Sequence, residues 1–479
     1  MATPDLRSRD LREGKTEIID RSTTSIDVST DILIIGGGGT GLVAALAAAD
    51  HTGGTITVLE KSDRIGGNTS LSTGMIPAAG TRLQEAVGIE DTWEDMAADI
   101  LDKNDGETNH DIVERLCRQS KELIHWLIDE WDISLSLVDE FRYPRHSEYR
   151  MHSPPGRNGE NLIEEFVERI EATPNIELLT NSPVRKMIVD DGSVVGAIAG
   201  AGHDEVIGAE KVILATDGFG GNNKMVERHC GSIADGIYFG TDGNTGDGIR
   251  WGHAAGGALD YMDAYQAHAT IVHGTGALST FAIIMHGGFL VNESGSRFAN
   301  EAKGYSALAI NVLDQPGGLA YEIFDERIFD DLSGEFDDFD RADELNSYIS
   351  ATDIETLADR LGCDPDSTAA TLSRYNDAVR ENVPDETGRE DGRAELEPPF
   401  YGAVVTGALF HTQGGLRVDE HARVLDDDGD VIDNLYAGGG AAAGISGHGN
   451  DGYLSGNGLT TALGFGRLAG RHAGRSIDG

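Results

Sequence analysis

The sequence is poor in basic residues, in cysteines and in long apolar runs. Its 479 residues include 82 Asp and Glu against 37 Lys and Arg, which gives a formal net charge of −45. So acidic a surface repels phosphate backbones and anionic lipid, which argues against a nucleic-acid-binding protein. The charge is typical of a halophilic protein, because in molar salt screening falls to about 3 Å and self-repulsion becomes tolerable. An ordinary acidic cytosolic protein is the alternative.

The three cysteines, Cys117, Cys230 and Cys363, lie far apart and form no C-x-x-C pair. This spacing argues against zinc, an iron–sulfur cluster and an attached haem, so no metal site is predicted. No apolar run reaches the length of a membrane span, and the first 20 residues are too charged for a secretory signal. We therefore expect a cytoplasmic protein that exchanges electrons with a soluble partner, since it has no electron relay of its own.

The stretch Asp31–Gly41, DILIIGGGGTG, carries the first functional motif. Ile32–Ile35 are continuously apolar, which predicts a strand buried on both faces. The glycines that follow fit the pattern G-x-G-x-x-G, and an Ala-rich helical run comes next. Glycines in this place let the backbone turn sharply and approach a pyrophosphate, which the first amides and the dipole of the helix stabilise.

Two further features favour FAD over NAD as the cofactor. Thr55–Glu60, TITVLE, is a second predicted strand, and it ends in an acid at the spacing where a ribose hydroxyl needs an acceptor. Gly66, Gly67 and Asn68 then begin a second glycine-rich turn, which is suited to lying against a flat ring. An NAD-binding fold has no obvious use for this second turn, whereas a flavin-binding fold has.

The order of motifs resembles the soluble fumarate reductase and 3-ketosteroid dehydrogenase superfamily of flavoproteins, over residues 30–475. The matching stretches are GGGGTG with Glu60, GGNTSLSTG, VILATDGFGGN, NTGDGI, VNESGSRFANE, HTQGG, LYAGG and SGNGLTTALGFGRLAG. The resemblance implies FAD, a cap domain that closes over the flavin ring, and hydride exchange with the flavin. The loop before the ring lacks the histidine of covalently flavinylated relatives, so we expect FAD to be held non-covalently.

The pattern and the resemblance together predict an α/β protein, a split Rossmann-like FAD-binding domain with an inserted α+β cap domain for the substrate. Helical spacing is predicted over residues 91–131 and in Asn161–Ala172, and Asp190–Gly192 is predicted to be a hairpin turn. The predicted divisions are a polar extension at 1–30, the first part of the FAD-binding domain at 31–261, the cap at 262–398 and the second part of the FAD-binding domain at 399–479.

Carried over residue by residue, the resemblance implies a set of cofactor-binding positions in the glycine turns, at the acid-ended strand and in the C-terminal stretch. These are Gly36, Gly38, Gly39, Thr40, Gly41, Glu60, Lys61, Gly66, Gly67, Asn68, Thr69, Ser70, Gly74, Val184, Ala215, Thr216, Asp217, Gly218, Asp247, Gly438, Gly439, Asn457, Gly458 and Leu459. Asp217 stands where relatives usually have glycine, and the sequence offers no physical reason for it.

Three positions distinguish this chain from the fumarate reductases. Where those enzymes carry one Arg that delivers a proton and another that clamps a carboxylate, this chain has Tyr305 and Tyr453, and the acid of a Thr-Glu pair is Phe281. An Arg–carboxylate contact is worth about 1.5–3 kcal/mol, so the loss of both disfavours a dicarboxylate substrate. His268 and His411 remain fumarate-reductase-like, which keeps an unsaturated carboxylate as the alternative.

The two tyrosines favour a ketone. A phenol can hydrogen-bond a ketone or its enolate and exchange a proton beside it, while its ring lines an apolar pocket. Tyr453-Leu454-Ser455 resembles the branch of the superfamily that acts on saturated 3-ketosteroids. We therefore expect Tyr305, Tyr453, Ser455 and His411 to be catalytic on an apolar cyclic ketone or enone. In dehydrogenation Tyr305 would take the α-proton while Tyr453, with Ser455, polarises the carbonyl, although the two tyrosine roles could be exchanged.

Two other polar groups are expected to have no part in catalysis. Arg150, His152 and Arg157 could close over the cofactor or substrate, but a solvated loop is the prediction. Asp426-Asp427-Asp428 fits the tip of a hairpin rather than a metal site.

Overall fold

The computed structural model describes residues 17–390 and 392–477, so most of the predicted polar extension lies outside the described residues. The described residues form twenty strands and fifteen α-helices. The strands are β1 (Ile18–Asp20), β2 (Val28–Ile35), β3 (Ile56–Leu59), β4 (Ile76–Pro77), β5 (Ser136–Leu137), β6 (Met151–Ser153), β7 (Ile176–Leu179), β8 (Val184–Asp190), β9 (Ser193–Ala199), β10 (Glu205–Leu214), β11 (Ile237–Tyr238), β12 (Leu259–Asp260), β13 (Tyr265–Val272), β14 (Phe289–Val291), β15 (Leu319–Asp325), β16 (Ile349–Ala351), β17 (Phe400–Thr412), β18 (Gly415–Leu416), β19 (Arg423–Leu425) and β20 (Val431–Ala437). The helices are α1 (Gly39–Ala49), α2 (Gly67–Ser70), α3 (Arg82–Ala86), α4 (Trp93–Lys103), α5 (His110–Asp129), α6 (Gly159–Glu171), α7 (Asn223–His229), α8 (Asp247–Ala254), α9 (Ala282–Met285), α10 (Tyr305–Leu313), α11 (Glu326–Leu332), α12 (Asp337–Glu344), α13 (Ile354–Leu361), α14 (Pro365–Glu381) and α15 (Asn457–Ile477).

A nine-stranded sheet carries the glycine turns. Its order is β1-β8-β9-β10-β2-β3-β7, with β20 beside β10 and β19 beside β20. Strands β10, β2, β3, β7 and β20 are parallel, so their carboxyl ends meet at one edge of the sheet. Ile32–Ile35 are buried, which confirms the predicted two-sided burial of β2.

Helices α1 and α15 pack unusually closely beside this sheet. A Cβ on Gly466 would lie 2.5 Å from the carbonyl oxygen of Thr40, and one on Gly470 would lie 2.1 Å from that of Ala44. The two helices are therefore parallel and in near backbone contact. Since Gly466 lies opposite Thr40, α15 extends about 12 Å beyond the start of α1, toward the same sheet edge.

A second sheet has six strands. Its order is β11-β17-β15-β14, and β13 and β16 also pair with β17. The long central strand β17 pairs His411 with Gln266 of β13, which places both residues at one end of the sheet. The strands of this sheet come from both sides of the predicted cap boundaries at residues 262 and 398, and those boundaries remain a prediction.

Some local structure differs from the sequence pattern. Ile18–Asp20, in the predicted polar extension, pairs with β8, because an edge strand has unpaired backbone groups to offer. The helical pattern over 91–131 forms two helices, α4 and α5, since Thr92 and Asn109 each cap a new N-terminus. Asp426–Asp428 lie in the connection between β19 and β20. Within the described ranges, no helix combines the length and apolarity that crossing a bilayer requires.

Candidate active site

A large cavity is lined both by residues at the ends of β2, β3 and β10 and by residues of β13 and β17. Its volume is about 1720 Å³, above the roughly 300–1,000 Å³ that is usual for one small-molecule site. The predicted catalytic residues Tyr305, His411, Tyr453 and Ser455 all line it. The predicted cofactor-binding residues in the lining are Gly36, Gly38, Gly39, Thr40, Glu60, Lys61, Gly67, Asn68, Thr69, Ser70, Val184, Ala215, Thr216, Asp217, Asp247, Gly439, Gly458 and Leu459.

Six predicted cofactor-binding residues stand outside the lining. They are Gly41, Gly66, Gly74, Gly218, Gly438 and Asn457. Several support the walls: a Cβ on Gly41 would lie 1.9 Å from the carbonyl oxygen of Gly36, and the side-chain amide of Asn457 donates to Ser446 Oγ at 3.0 Å. A direct contact between these six and the cofactor remains a prediction.

The first glycine turn is shaped for close backbone approach. Gly36 has a φ of +116°, and a Cβ on it would lie 2.1 Å from the carbonyl oxygen of Ala215. Helix α1 begins after Gly38, which provides no side-chain cap. Because the first amides of a helix have no intrahelical acceptor, they remain available to an anion. The turn has the geometry that a pyrophosphate requires.

Glu60 follows β3 and faces the same cavity. Its carboxylate accepts the N–H groups of Gly37 at 2.9 Å and Ser62 at 2.8 Å. A carboxylate has about four acceptor positions, so roughly two remain for ribose hydroxyls. Lys61 Nζ and Asp247 Oδ2 pair with each other at 2.8 Å. The cavity thus offers a pyrophosphate cradle and, beside it, an acceptor for a ribose, which fits FAD.

Asp217 is a carboxylate built into the cavity wall. Its φ is +58°, a conformation that residues other than glycine rarely adopt. Oδ1 accepts the N–H of Gly218 at 2.8 Å, and Oδ2 accepts the side-chain amide of Asn244 at 2.7 Å. Burial raises the pKa of this carboxyl, and the hydrogen bond from the Gly218 N–H opposes the shift. The side chain therefore closes its own turn and ties it to the loop of Asn244.

The two predicted catalytic tyrosines lie side by side. Their ring centroids are 6.1 Å apart, and both rings belong to one apolar cluster. Tyr305 begins α10 directly after Gly304, whose φ is +95°. The hydroxyl of Tyr453 accepts the N–H of Gly458 at 3.3 Å. The start of α10 and the start of α15 therefore meet at this end of the cavity.

Burial keeps both phenols neutral at pH 7. It raises the pKa of Tyr305 to about 12, and hydrogen bonds with the hydroxyls of Ser455 and Tyr453 oppose the shift. Burial also raises the pKa of Tyr453 well above its usual value, and the bond with Tyr305 raises it further. Tyr305 is therefore the easier of the two to ionise.

Two histidines face the tyrosine pair, and both are neutral. His268 stacks on Tyr305 with 4.7 Å between ring centroids. Its Nδ1 accepts the N–H of Thr270 at 3.3 Å, so the ring proton is assigned to Nε2. Burial lowers the pKa of His268 to about 3 and also lowers that of His411, which lies edge-on to Tyr453. Neither imidazole supplies positive charge at pH 7.

The cavity wall around the tyrosines is apolar. Phe281 lies edge-on to Tyr305 at 5.5 Å. Sequence reasoning missed Tyr143, whose ring is 6.4 Å from that of Tyr305 and whose hydroxyl donates to Met75 Sδ at 3.7 Å. Its stretch of sequence carries no periodic pattern or motif. The cavity lining also includes guanidinium groups, and that of Arg157 pairs with Glu140 at 3.1 Å.

The expectation of a solvated loop for Arg150, His152 and Arg157 is wrong. Arg150 is 1% exposed and its guanidinium pairs with Asp91 at 2.8 Å, and His152 is fully buried. Arg157 lines the cavity, with its guanidinium carbon 4.6 Å from the ring centroid of Phe336. These partners are remote in sequence, so a local pattern could not reveal them.

The arrangement has counterparts in known proteins. Residues 31–459 match the FAD binding domain family. A fumarate reductase (cytochrome) from Shewanella frigidimarina is 32% identical, over 97% of this chain and 80% of that protein. A 3-oxosteroid 1-dehydrogenase from Mycobacterium tuberculosis is 24% identical, over 92% of this chain and 98% of that protein. The open conformation of a flavocytochrome c3 fumarate reductase matches with a TM-score of 0.79 at 29% identity, covering 95% of this chain and 80% of the other.

These findings confirm the predicted superfamily, the α/β fold class and FAD as the cofactor. Since one of the relatives is a fumarate reductase and another a steroid dehydrogenase, the similarity leaves the substrate open. The chain belongs to the FAD binding domain family, and it is an FAD-dependent oxidoreductase of the fumarate reductase and ketosteroid dehydrogenase group that acts on carbon–carbon double bonds.

Proposed function

We propose that this enzyme forms or reduces a carbon–carbon double bond next to the carbonyl of an apolar cyclic ketone, as in a 3-ketosteroid. The observation that supports this is the pair of neutral phenols, Tyr305 and Tyr453, in an apolar part of the cavity. A ketone carries no charge and accepts hydrogen bonds, so buried hydroxyls match it without a cationic partner. FAD, when bound, accepts or supplies the hydride at the β-carbon.

The asymmetry of the tyrosine pair supports separate roles. Tyr305, the easier to ionise, exchanges the proton at the α-carbon. Tyr453 keeps its proton and donates a hydrogen bond to the carbonyl oxygen, since its pKa is the more strongly raised. The hydroxyl of Ser455 opposes the rise in the pKa of Tyr305, and His411 packs edge-on against Tyr453. A soluble electron partner, a cytoplasmic location and adaptation to high salt complete the proposal, the last supported by the acidic composition.

Replacement of each tyrosine by phenylalanine tests these roles. In Tyr305→Phe and Tyr453→Phe we expect FAD to remain bound, while anaerobic reduction of the flavin by a 3-ketosteroid slows by about 10²–10⁴-fold, the usual contribution of a proton-transfer group. Tyr436→Phe is the matched control, because that hydroxyl contacts His472 away from the cavity lining. Unchanged flavin reduction in Tyr305→Phe would refute the proposal.

The alternative substrate is a small unsaturated carboxylate. Two observations favour it: His268 and His411 both line the cavity, and the fumarate reductase relative is 32% identical. Against it, both imidazoles are neutral, so they stabilise a carboxylate less than a guanidinium would. Oxidation of the reduced flavin by fumarate or another acrylate would support this alternative.

A further inference from the structure

Asp217 occupies a place where its backbone conformation is unfavourable. It is the second residue of the Thr216–Gly221 turn that follows β10, and its φ of +58° lies in the left-handed region. Residues held in that region persist only when the surrounding structure imposes it, and such positions cluster at ligand sites. The turn of Asp217 is closely packed on both sides. A Cβ on Gly218 would lie 2.1 Å from Thr412 Oγ1, and one on Gly440 would lie 2.3 Å from Asp217 Oδ1.

The Asp217 carboxylate lies between the pyrophosphate cradle at one end of the cavity and the tyrosine pair at the other. On one side Gly440 adjoins Gly439, where a Cβ would lie 2.5 Å from Thr40 Oγ1 in the first turn of α1. That turn is the pyrophosphate cradle. On the other side the turn of Asp217 packs on Thr412, which is adjacent to His411 at the tyrosine end. The segment of FAD that joins the pyrophosphate to the flavin ring is the ribityl chain, which carries three hydroxyl groups.

The remaining acceptor capacity of Asp217 suits such a hydroxyl. Each carboxylate oxygen accepts one hydrogen bond, from Gly218 N–H and from the Asn244 amide. About two of the four acceptor positions are therefore free, and the residue lines the cavity. The Asn244 amide also donates to the Tyr238 hydroxyl at 3.1 Å. This second contact fixes the amide and, through it, the Asp217 oxygen that accepts from it.

We propose that the carboxylate of Asp217 accepts a hydrogen bond from one ribityl hydroxyl of FAD, and so binds the cofactor between its pyrophosphate and its ring. This role concerns FAD binding alone and does not depend on the proposed ketone substrate. It explains why an aspartate stands in a glycine-rich turn at a left-handed position. Glycine would relieve the backbone but remove the acceptor.

The test is a cycle of protein variants against FAD analogues. Wild-type apoprotein and Asp217→Gly are titrated with FAD and with its 2′-, 3′- and 4′-monodeoxyribityl analogues, and dissociation constants are read from flavin fluorescence without any substrate. We expect Asp217→Gly to weaken FAD binding about 10- to 100-fold, as for loss of a charge-assisted hydrogen bond. The analogue that lacks the hydroxyl bound by Asp217 should bind wild type about 10- to 100-fold more weakly than FAD does. Its affinity should not fall further in Asp217→Gly.

Asp191→Gly is the control, because Asp191 has a φ of +44° in the exposed β8–β9 turn. It should leave FAD affinity unchanged. If Asp217→Gly does not fold, Asp217→Asn and the analogues on wild type still decide the question. Equal binding of all three analogues and FAD to wild type would overturn the proposal. The proposal would also be overturned if removal of one ribityl hydroxyl weakened FAD binding equally in wild type and in a folded Asp217 variant. That hydroxyl would then bind a group other than Asp217.

Discussion

Two phenols and two imidazoles, those of Tyr305, Tyr453, His268 and His411, line one end of the cavity, and burial keeps all four neutral at pH 7. Tyr305 and His268 illustrate the common cause: loss of water disfavours the charged form, so the pKa of the phenol rises to about 12 while that of the imidazole falls to about 3. A site of this kind binds an uncharged carbonyl better than a dianion. The raised pKa of Tyr305 also makes proton transfer to this residue sensitive to pH.

The pH dependence follows from the direction of the Tyr305 shift. In dehydrogenation the proton acceptor is the ionised phenol, and below a pKa of about 12 its population rises with pH, by roughly tenfold for each pH unit. We expect anaerobic flavin reduction by a ketone to accelerate between about pH 7 and pH 10 in stopped-flow measurements. Tyr305→Phe should lose that slope. A wild-type rate that stays flat over this range would contradict the assignment of Tyr305.

Single residues also mark the limit of what the sequence predicts. Tyr305 and Tyr453 were identifiable because each sits at a fixed place beside a recognisable motif. Asp217 and Arg150 were not interpretable, since their partners Asn244 and Asp91 are 27 and 59 residues away. Burial and pairing set by such distant contacts do not appear in a local pattern.

Among the elements, α1 and α15 pack against each other beside the cofactor cradle. Their glycine stripe lets two parallel helices meet at backbone distance, so the start of α1 and the first turns of α15 face one cavity. The glycine turn, the buried strand β2 and the Ala-rich helix after it could be predicted, because period and turn chemistry are local. The break between α4 and α5 could not be predicted, because the apolar spacing over residues 91–131 is compatible with one continuous helix.

Gly470→Ala tests the close packing of these helices. The added Cβ would meet the carbonyl oxygen of Ala44 at 2.1 Å, and backbone cannot yield as a side chain can. We expect the free energy of unfolding to fall by about 1–3 kcal/mol, the usual cost of overpacking, with weaker FAD binding. Urea unfolding measures the first effect. Gly53→Ala, whose Cβ would have nothing within 4 Å, should change neither; equal stability of both variants would contradict the packing account.

For the whole molecule, the net charge of −45 makes self-repulsion a large unfavourable contribution to stability. Salt weakens it, because the screening length falls from about 10 Å at 0.1 M to about 3 Å at 1 M. We expect Tm to rise steadily as KCl is increased from about 0.1 to 2 M. Sucrose at equal osmolality is the control for general exclusion from the surface. A Tm that is insensitive to KCl would refute the interpretation of the charge as an adaptation to salt.

The central claim is that the uncharged hydroxyls of Tyr305 and Tyr453 bind the carbonyl of a ketone substrate. The most direct measurement is an anaerobic absorbance titration of the FAD-loaded enzyme in both redox states. Bleaching of the oxidised flavin by a 3-ketosteroid, with no reoxidation of the reduced flavin by fumarate, is the predicted result. Rapid reoxidation by fumarate, with no response to the ketosteroid, would contradict it.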